Sequence, residues 1–211
     1  PKIMEMSGIT YTLLSYTTST NGLESPNDYY VNLYTEEKVK KDIEKIRDKT
    51  DFLFVSMHWG EEYRNTPTDE QRAIAEYLAS LGVDIVIGTH PHVIEPIEWI
   101  GYTLVIYSLG NLISSQSTKD EYERRIGLLV DVDLVKTVVK DRIDVDLMNL
   151  KTELLYTYST PDNRNFSVIP FSKVDETILK EYRNLKIKYE SIVKYYDNTI
   201  ETNGMTENVI P

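Results

Sequence analysis

Two apolar runs, residues 51–57 and 83–87, bracket a segment that carries its own start and stop signals for a helix. Thr68-Asp69-Glu70-Gln71 has the capping-box pattern, with Pro67 just before it. Ile74, Leu78 and Leu81 fall on one face, and Gly82 would end the helix. Strand, helix and strand in this order predict a βαβ unit. Such crossovers are right-handed in nearly all cases and lay the two strands parallel in one sheet. Parallel strands share a carboxyl edge, and ligands of open α/β sheets bind in the crevice at that edge.

All three histidines of the 211-residue chain lie just past those two strands. His58 stands in His58-Trp59-Gly60-Glu61-Glu62, and the others in Gly88-Thr89-His90-Pro91-His92. Imidazole is the commonest metal ligand and titrates near neutral pH. The βαβ geometry therefore predicts one cluster of three imidazoles at the sheet edge. On extended backbone His90 and His92 would point to opposite sides. In a tight loop held by Pro91 they could serve two neighbouring metals, or one metal and a substrate oxygen. Glu61 could be a ligand, a partner that orients an imidazole, or a solvated charge. Asn111, in Ser108-Leu109-Gly110-Asn111, could hydrogen-bond a substrate, orient a ligand, or cap a turn. Ser108 has no Gly-x-Ser-x-Gly surroundings and makes a poor nucleophile candidate.

The net charge of -11 argues against a nucleic-acid partner, since duplex binding rests on Lys and Arg neutralising phosphates. The absence of cysteine removes disulfides and thiolate ligands and leaves the compartment open. No stretch approaches the ~20 apolar residues of a membrane span. The chain opens on Pro1-Lys2-Ile3 and reads as a processed or partial chain.

Elsewhere the pattern predicts a strand over 8–17, turns at Asn21-Gly22 and Ser25-Pro26, and a helix over 36–49 capped by Thr35. A hairpin is expected over 99–107 around Gly101. A second is expected from 126–134 and 138–150, with further strands at 153–158 and 166–169. A long helix over 173–198 would carry Ile178, Tyr182, Leu185, Tyr189, Ile192 and Tyr196 as an apolar seam, packed on the domain or against a partner helix. The tail after Thr199 is expected to fray. These readings divide the chain into residues 1–172 and a C-terminal helix and tail, 173–211.

One series of residues carries a family resemblance: His58-Trp59-Gly60-Glu61, then Pro67, Gln71 and Ala75, then Gly82 through Val93, then Tyr107-Ser108-Leu109-Gly110-Asn111. It resembles the bacterial capsule-synthesis family of CapA type, which serves poly-γ-glutamate production and is related to the calcineurin-like metallophosphoesterases. The resemblance spans roughly residues 50–115. It implies an α/β (α+β) fold, a four-layer α-β-β-α sandwich of metallophosphoesterase type, here incomplete at its N-terminus. It also implies divalent metal ions in a two-metal site, with Mn, Fe, Zn and Mg not distinguishable.

By that resemblance His58, His90 and His92 would be metal ligands, His58 and His90 would act in catalysis, and Glu61 and Asn111 would contact substrate. The family's Gly-Asp, Asp-x-His and Asn-His motifs do not occur in this sequence, and Gly110-Asn111 is followed by Leu112. The expected partners are the missing N-terminal part of the domain or another subunit, a capsular polymer or its precursor, and other capsule-synthesis membrane proteins. The expected location is the extracytoplasmic face of the membrane, through an anchor outside this chain. Two functions remain open: a metal-dependent hydrolase, or a non-catalytic scaffold for capsule assembly, export or polymer binding.

Overall fold

The computed structural model describes residues 1–23, 27, 30–116 and 122–203. The expected turn at Ser25-Pro26 lies outside them. In chain order the elements are β1 (Met4–Met6), β2 (Ile9–Thr17), α1 (Glu36–Glu44), β3 (Phe52–His58), α2 (Asp69–Ser80), β4 (Ile85–Thr89), β5 (Ile97–Ile100), β6 (Thr103–Ile106), β7 (Ile126–Val139), β8 (Arg142–Tyr158), β9 (Ser167–Pro170), α3 (Tyr182–Val193) and β10 (Glu201–Thr202). They form a mixed α/β sandwich.

The larger sheet runs β1-β2-β3-β4-β6-β5. Its four inner strands are parallel, and the two edge strands are antiparallel to their neighbours. The βαβ unit forms as the sequence predicts. Thr68 caps α2 in a complete capping box, accepting from Gln71 N–H while the Gln71 side chain accepts from Thr68 N–H. Gly82 follows the helix in the left-handed region, at φ +78°.

The alternation of each strand divides the core in two. Leu53, Val55 and Met57 of β3 pack with Val39 and Ile43 of α1 and Ile74, Ala75 and Leu78 of α2. Ile85, Leu104 and Ile106 enter a second cluster with Leu128 of β7 and Leu154 and Tyr156 of β8. The second sheet thereby packs on the first. Tyr189 and Val193 of α3 join that same cluster.

Four expectations change. The predicted helix over 36–49 ends at Glu44, and a 3-10 turn at Arg47–Lys49 follows. The second hairpin is longer than expected, with its turn at Lys140-Asp141. Lys136 does not turn the chain; its ammonium reaches Asp51 at 2.8 Å and the Gly8 carbonyl at 3.2 Å, pinning the hairpin to the first sheet. The expected 26-residue helix is only the twelve residues of α3. Asp175 accepts backbone N–H groups from Thr177 and Ile178, and Glu181 sits at φ +63°, so regular helix starts after it.

The seam residues do pack on the domain, and Tyr196 reaches α2, where it meets Arg72. Nor does the chain fray at Thr199. Ile200 is buried, and β10 pairs in parallel with Lys151-Thr152 of β8. Residues 204–211 lie outside the described residues.

Candidate functional site

Strands β3 and β4 pair in parallel with His58 opposite Thr89, so both end at one level. Trp59 N–H donates to the Thr89 carbonyl, and Tyr63 N–H to the Pro91 carbonyl. These bonds tie the two following loops together. The His58 and His90 rings lie 4.4 Å apart between centroids, and the His90 and His92 rings 6.2 Å apart. The structure thus brings all three imidazoles to the carboxyl edge. His90 at φ +100° and His92 at φ +61° show how two residues flanking a proline reach one cluster. The loop is turned, not extended.

The glycines of the two motifs answer to sterics. Gly60 has φ +84°, and a Cβ there would stand 2.7 Å from the Gln71 amide. A Cβ on Gly88 would fall 1.8 Å from the Tyr107 carbonyl oxygen and 2.5 Å from Trp59 Nε1. Trp59 is itself buried, and its Nε1–H donates to that same carbonyl at 2.9 Å. The indole therefore anchors the loop that follows β3.

Hydrogen bonds fix how two of the rings present themselves. Asn111 Nδ2 donates to the Arg124 carbonyl at 3.0 Å, which leaves Asn111 Oδ1 facing His92 Nδ1 at 2.9 Å. An amide oxygen only accepts, so His92 carries its proton on Nδ1. Thr17 Oγ1, at the end of β2, lies within donating reach of two backbone carbonyls, Ser19 at 2.6 Å and His58 at 3.3 Å, and 2.9 Å from His58 Nδ1; with its single proton on a carbonyl it accepts from the ring. His58 then also carries Nδ1–H. In the neutral rings the lone pairs are on Nε2. Burial pushes the His58 imidazole below its ordinary range, and the neighbouring His90 and His92 push the same way.

Neutral imidazoles with Nε2 lone pairs suit a divalent transition metal, and an orienting bond at Nδ1 is what such ligands normally carry. Among the described residues no three His, Cys, Asp or Glu stand close enough to hold one ion. The donor chemistry of the individual rings fits a metal.

Of the other expected site residues, Asn111 joins the cluster through His92. Glu61 is exposed and pairs with Arg64 at 3.2 Å. Ser108 is buried and donates to the Val93 carbonyl. Four neighbours went unforeseen. Thr17 depended on the register of β2 against β3, which pairs it with His58. The Tyr63 ring stacks near His92, 6.0 Å between centroids, and the Arg124 guanidinium lies 3.8 Å over Tyr63. Beneath the site, fully buried Glu95 accepts from Gln71 Nε2 at 2.6 Å. Burial raises the Glu95 carboxyl to about 7, against the Gln71 bond and the attraction of Arg64.

Fold and site together define a class: an α/β sandwich with an imidazole cluster at the carboxyl edge of its parallel sheet. Within that class the chain belongs to the family described as bacterial capsule synthesis protein PGA_cap, whose model matches residues 1–116. The PGA biosynthesis protein CapA of Bacillus subtilis (strain 168) is 45% identical over 74 residues, which are 35% of this chain and 20% of that protein. The capsule biosynthesis protein CapA of Bacillus anthracis is 39% identical over 87 residues, 38% of this chain and 21% of that protein. The chain thus spans about a fifth of the length of these relatives. A Staphylococcus aureus protein assigned as a 5′-nucleotidase, solved with α-ketoglutarate, aligns over 88% of this chain and 33% of its own, with TM-score 0.41 and 18% identity. GAP50, the anchor in the inner membrane complex of Plasmodium, aligns over 98% of this chain and 62% of its own, with TM-score 0.37 and 11% identity.

Proposed function

We propose that the imidazole cluster is part of a metal-dependent hydrolytic site that acts on a capsular polymer or its precursor at the outer face of the membrane. The observation that carries this reading is the pair of oriented rings. His58 and His92 each have Nδ1–H engaged, by Thr17 and Asn111, which leaves both Nε2 atoms as ligands or bases. His58, His90 and His92 would be divided over a two-metal centre, with anionic ligands supplied from outside the described residues. Such a centre polarises a phosphoryl or carbonyl oxygen.

The chain's own residues hold the rings in the ligating tautomer, and a ring not engaged by metal can pass a proton at Nε2 to a leaving group. Membership of a capsule-synthesis family supports a polymer of that kind as the substrate. The partners in this reading are the polymer, the rest of the protein and membrane proteins of capsule synthesis.

Metal analysis of the complete protein beside His92→Ala, with phosphodiester and γ-glutamyl amide hydrolysis followed in parallel, tests this. Stoichiometric metal and turnover in the wild type, both lost in the variant, are expected. Normal capsule production by His92→Ala at normal protein level would sink the hydrolytic reading and favour a binding scaffold.

A further inference from the structure

His92 belongs to a closed circuit of contacts that begins and ends at one residue. Asn111 Oδ1 accepts from His92 Nδ1, and Asn111 Nδ2 donates to the Arg124 carbonyl. The His92 ring also stacks near the Tyr63 ring, with 24° between their planes, and the Arg124 guanidinium lies 3.8 Å from the Tyr63 centroid. We propose that Arg124 is a positioning residue for His92, acting by two routes: its backbone carbonyl through Asn111, and its guanidinium through Tyr63. That the ring so placed serves a metal rests on the hydrolytic reading.

The chain path shows how Arg124 comes to this place. It stands in a 3-10 turn, Tyr122–Arg125, directly before β7. Leu128 N–H donates to the Leu109 carbonyl at 2.8 Å, and Gly110 pairs with Gly127. The start of β7 therefore runs along the segment that carries Asn111. A Cβ on Gly127 would stand 2.3 Å from the Asn111 carbonyl oxygen, so the two backbones meet only because glycine is there. Backbone pairing thus delivers the Arg124 carbonyl to the Asn111 amide.

The second route is built separately. Tyr63 N–H donates to the Pro91 carbonyl at 2.7 Å, which ties Tyr63 to the loop that carries His92. A guanidinium over an aromatic face is attracted by the ring quadrupole. Arg124 Nη1 also donates to the Gln116 carbonyl at 3.3 Å, so the group over the ring is itself held. This limits where the Tyr63 ring, and with it the His92 ring, can go. Arg124 lies beyond residues 1–116, the part of the chain that the family model matches. The approach to the second sheet thereby sets an imidazole of the first.

A double-mutant cycle in the complete protein tests the side-chain route, with Arg124→Gln, Arg124→Lys, Tyr63→Leu and the Tyr63→Leu, Arg124→Gln pair. The first readout is the set of His92 ring signals of the metal-free protein by nuclear magnetic resonance, assigned by their loss in His92→Gln. The second is zinc affinity by dye competition. A thermal melt accompanies each variant. Arg124→Gln should broaden or split the His92 signals and lower zinc affinity by on the order of tenfold. Arg124→Lys keeps a cation for the ring and should restore most of both. Added to Tyr63→Leu, Arg124→Gln should cost nothing further, because the ring it acts through is gone.

Unchanged His92 signals in Arg124→Gln, or losses in the two single variants that simply add in the pair, would overturn the proposal. So would a loss that Arg124→Lys does not restore and that follows the melting temperature, the mark of a merely structural arginine. If Tyr63→Leu fails to fold, the comparison of Arg124→Gln with Arg124→Lys decides. The hydrolytic reading fails separately. Coupled His92 signals in a complete protein that binds no zinc, or that turns over neither phosphodiester nor amide, would keep the role of Arg124 and discard the chemistry.

Discussion

Thr17 Oγ1 and His58 Nδ1 stand 2.9 Å apart across two paired strand ends, with the Ser19 and His58 carbonyls within reach of the hydroxyl's own proton. The strand pairing thus sets a protonation pattern on a ring. Thr17→Val keeps the β-branched shape and removes the acceptor. We expect the fold to persist and the His58 ring to populate both neutral tautomers. Imidazole nitrogen chemical shifts in the two proteins measure this directly; an unchanged Nδ1–H population would show that Thr17 does not hold the ring.

Asn111 does the same for His92. Asn111→Ala should lower divalent-metal affinity of the complete protein about 10–100-fold, the usual cost of losing an orienting partner. Competition with a metal-sensitive dye gives the ratio, and equal affinities would refute the assignment.

Gly88→Ala should destabilise strongly. Its new Cβ would sit 1.8 Å from a backbone oxygen of β6's continuation at Tyr107, and backbone cannot step aside as a flexible side chain can. A loss of at least the ~1–3 kcal/mol typical of overpacking is expected from the shift in urea midpoint.

Leu78, fully buried on the inner face of α2, separates stability from chemistry. Leu78→Ala should cost ~2–5 kcal/mol and lower protein level while the folded fraction keeps its metal affinity. Soluble yield and metal titration of the same sample check both halves.

Glu95 makes stability depend on pH. Folded, its carboxyl keeps the proton up to about 7, whereas its ordinary value is 4.5. Between those values the native state binds more protons than the unfolded chain, so stability falls as pH rises. The contribution is complete below 4.5 and gone above about 7. Glu95→Gln keeps an acceptor for Gln71 and should flatten the Tm profile across that window. A parallel profile for the two proteins would count against it.

The parts of this fold legible from sequence are those written in short-range chemistry. Thr68 and Gln71 announce α2, Gly82 closes it, and the strands on either side then must be parallel, which delivers His58, His90 and His92 to one edge. What the sequence hid depends on distant partners. Thr17 reads as one more β-branched strand residue until the β2–β3 register is known. Arg124 lies in an Arg pair with no pattern around it. The turn at Lys140-Asp141 was hidden because Lys136 is held in its strand by Asp51, a partner far away in sequence. The start of α3 was hidden because a left-handed Glu181 carries no residue-type signal.

The backbone around the imidazoles has a further consequence. Tyr63, His90 and His92 all hold positive φ, a region that residues with a Cβ occupy at a cost of about 1–3 kcal/mol each. Substituting Gly at any of them would relax the loop and raise the melting temperature. Screens that select for thermal tolerance should therefore erase this corner of the molecule first, so a hardened variant and a working one are expected to diverge at these three positions.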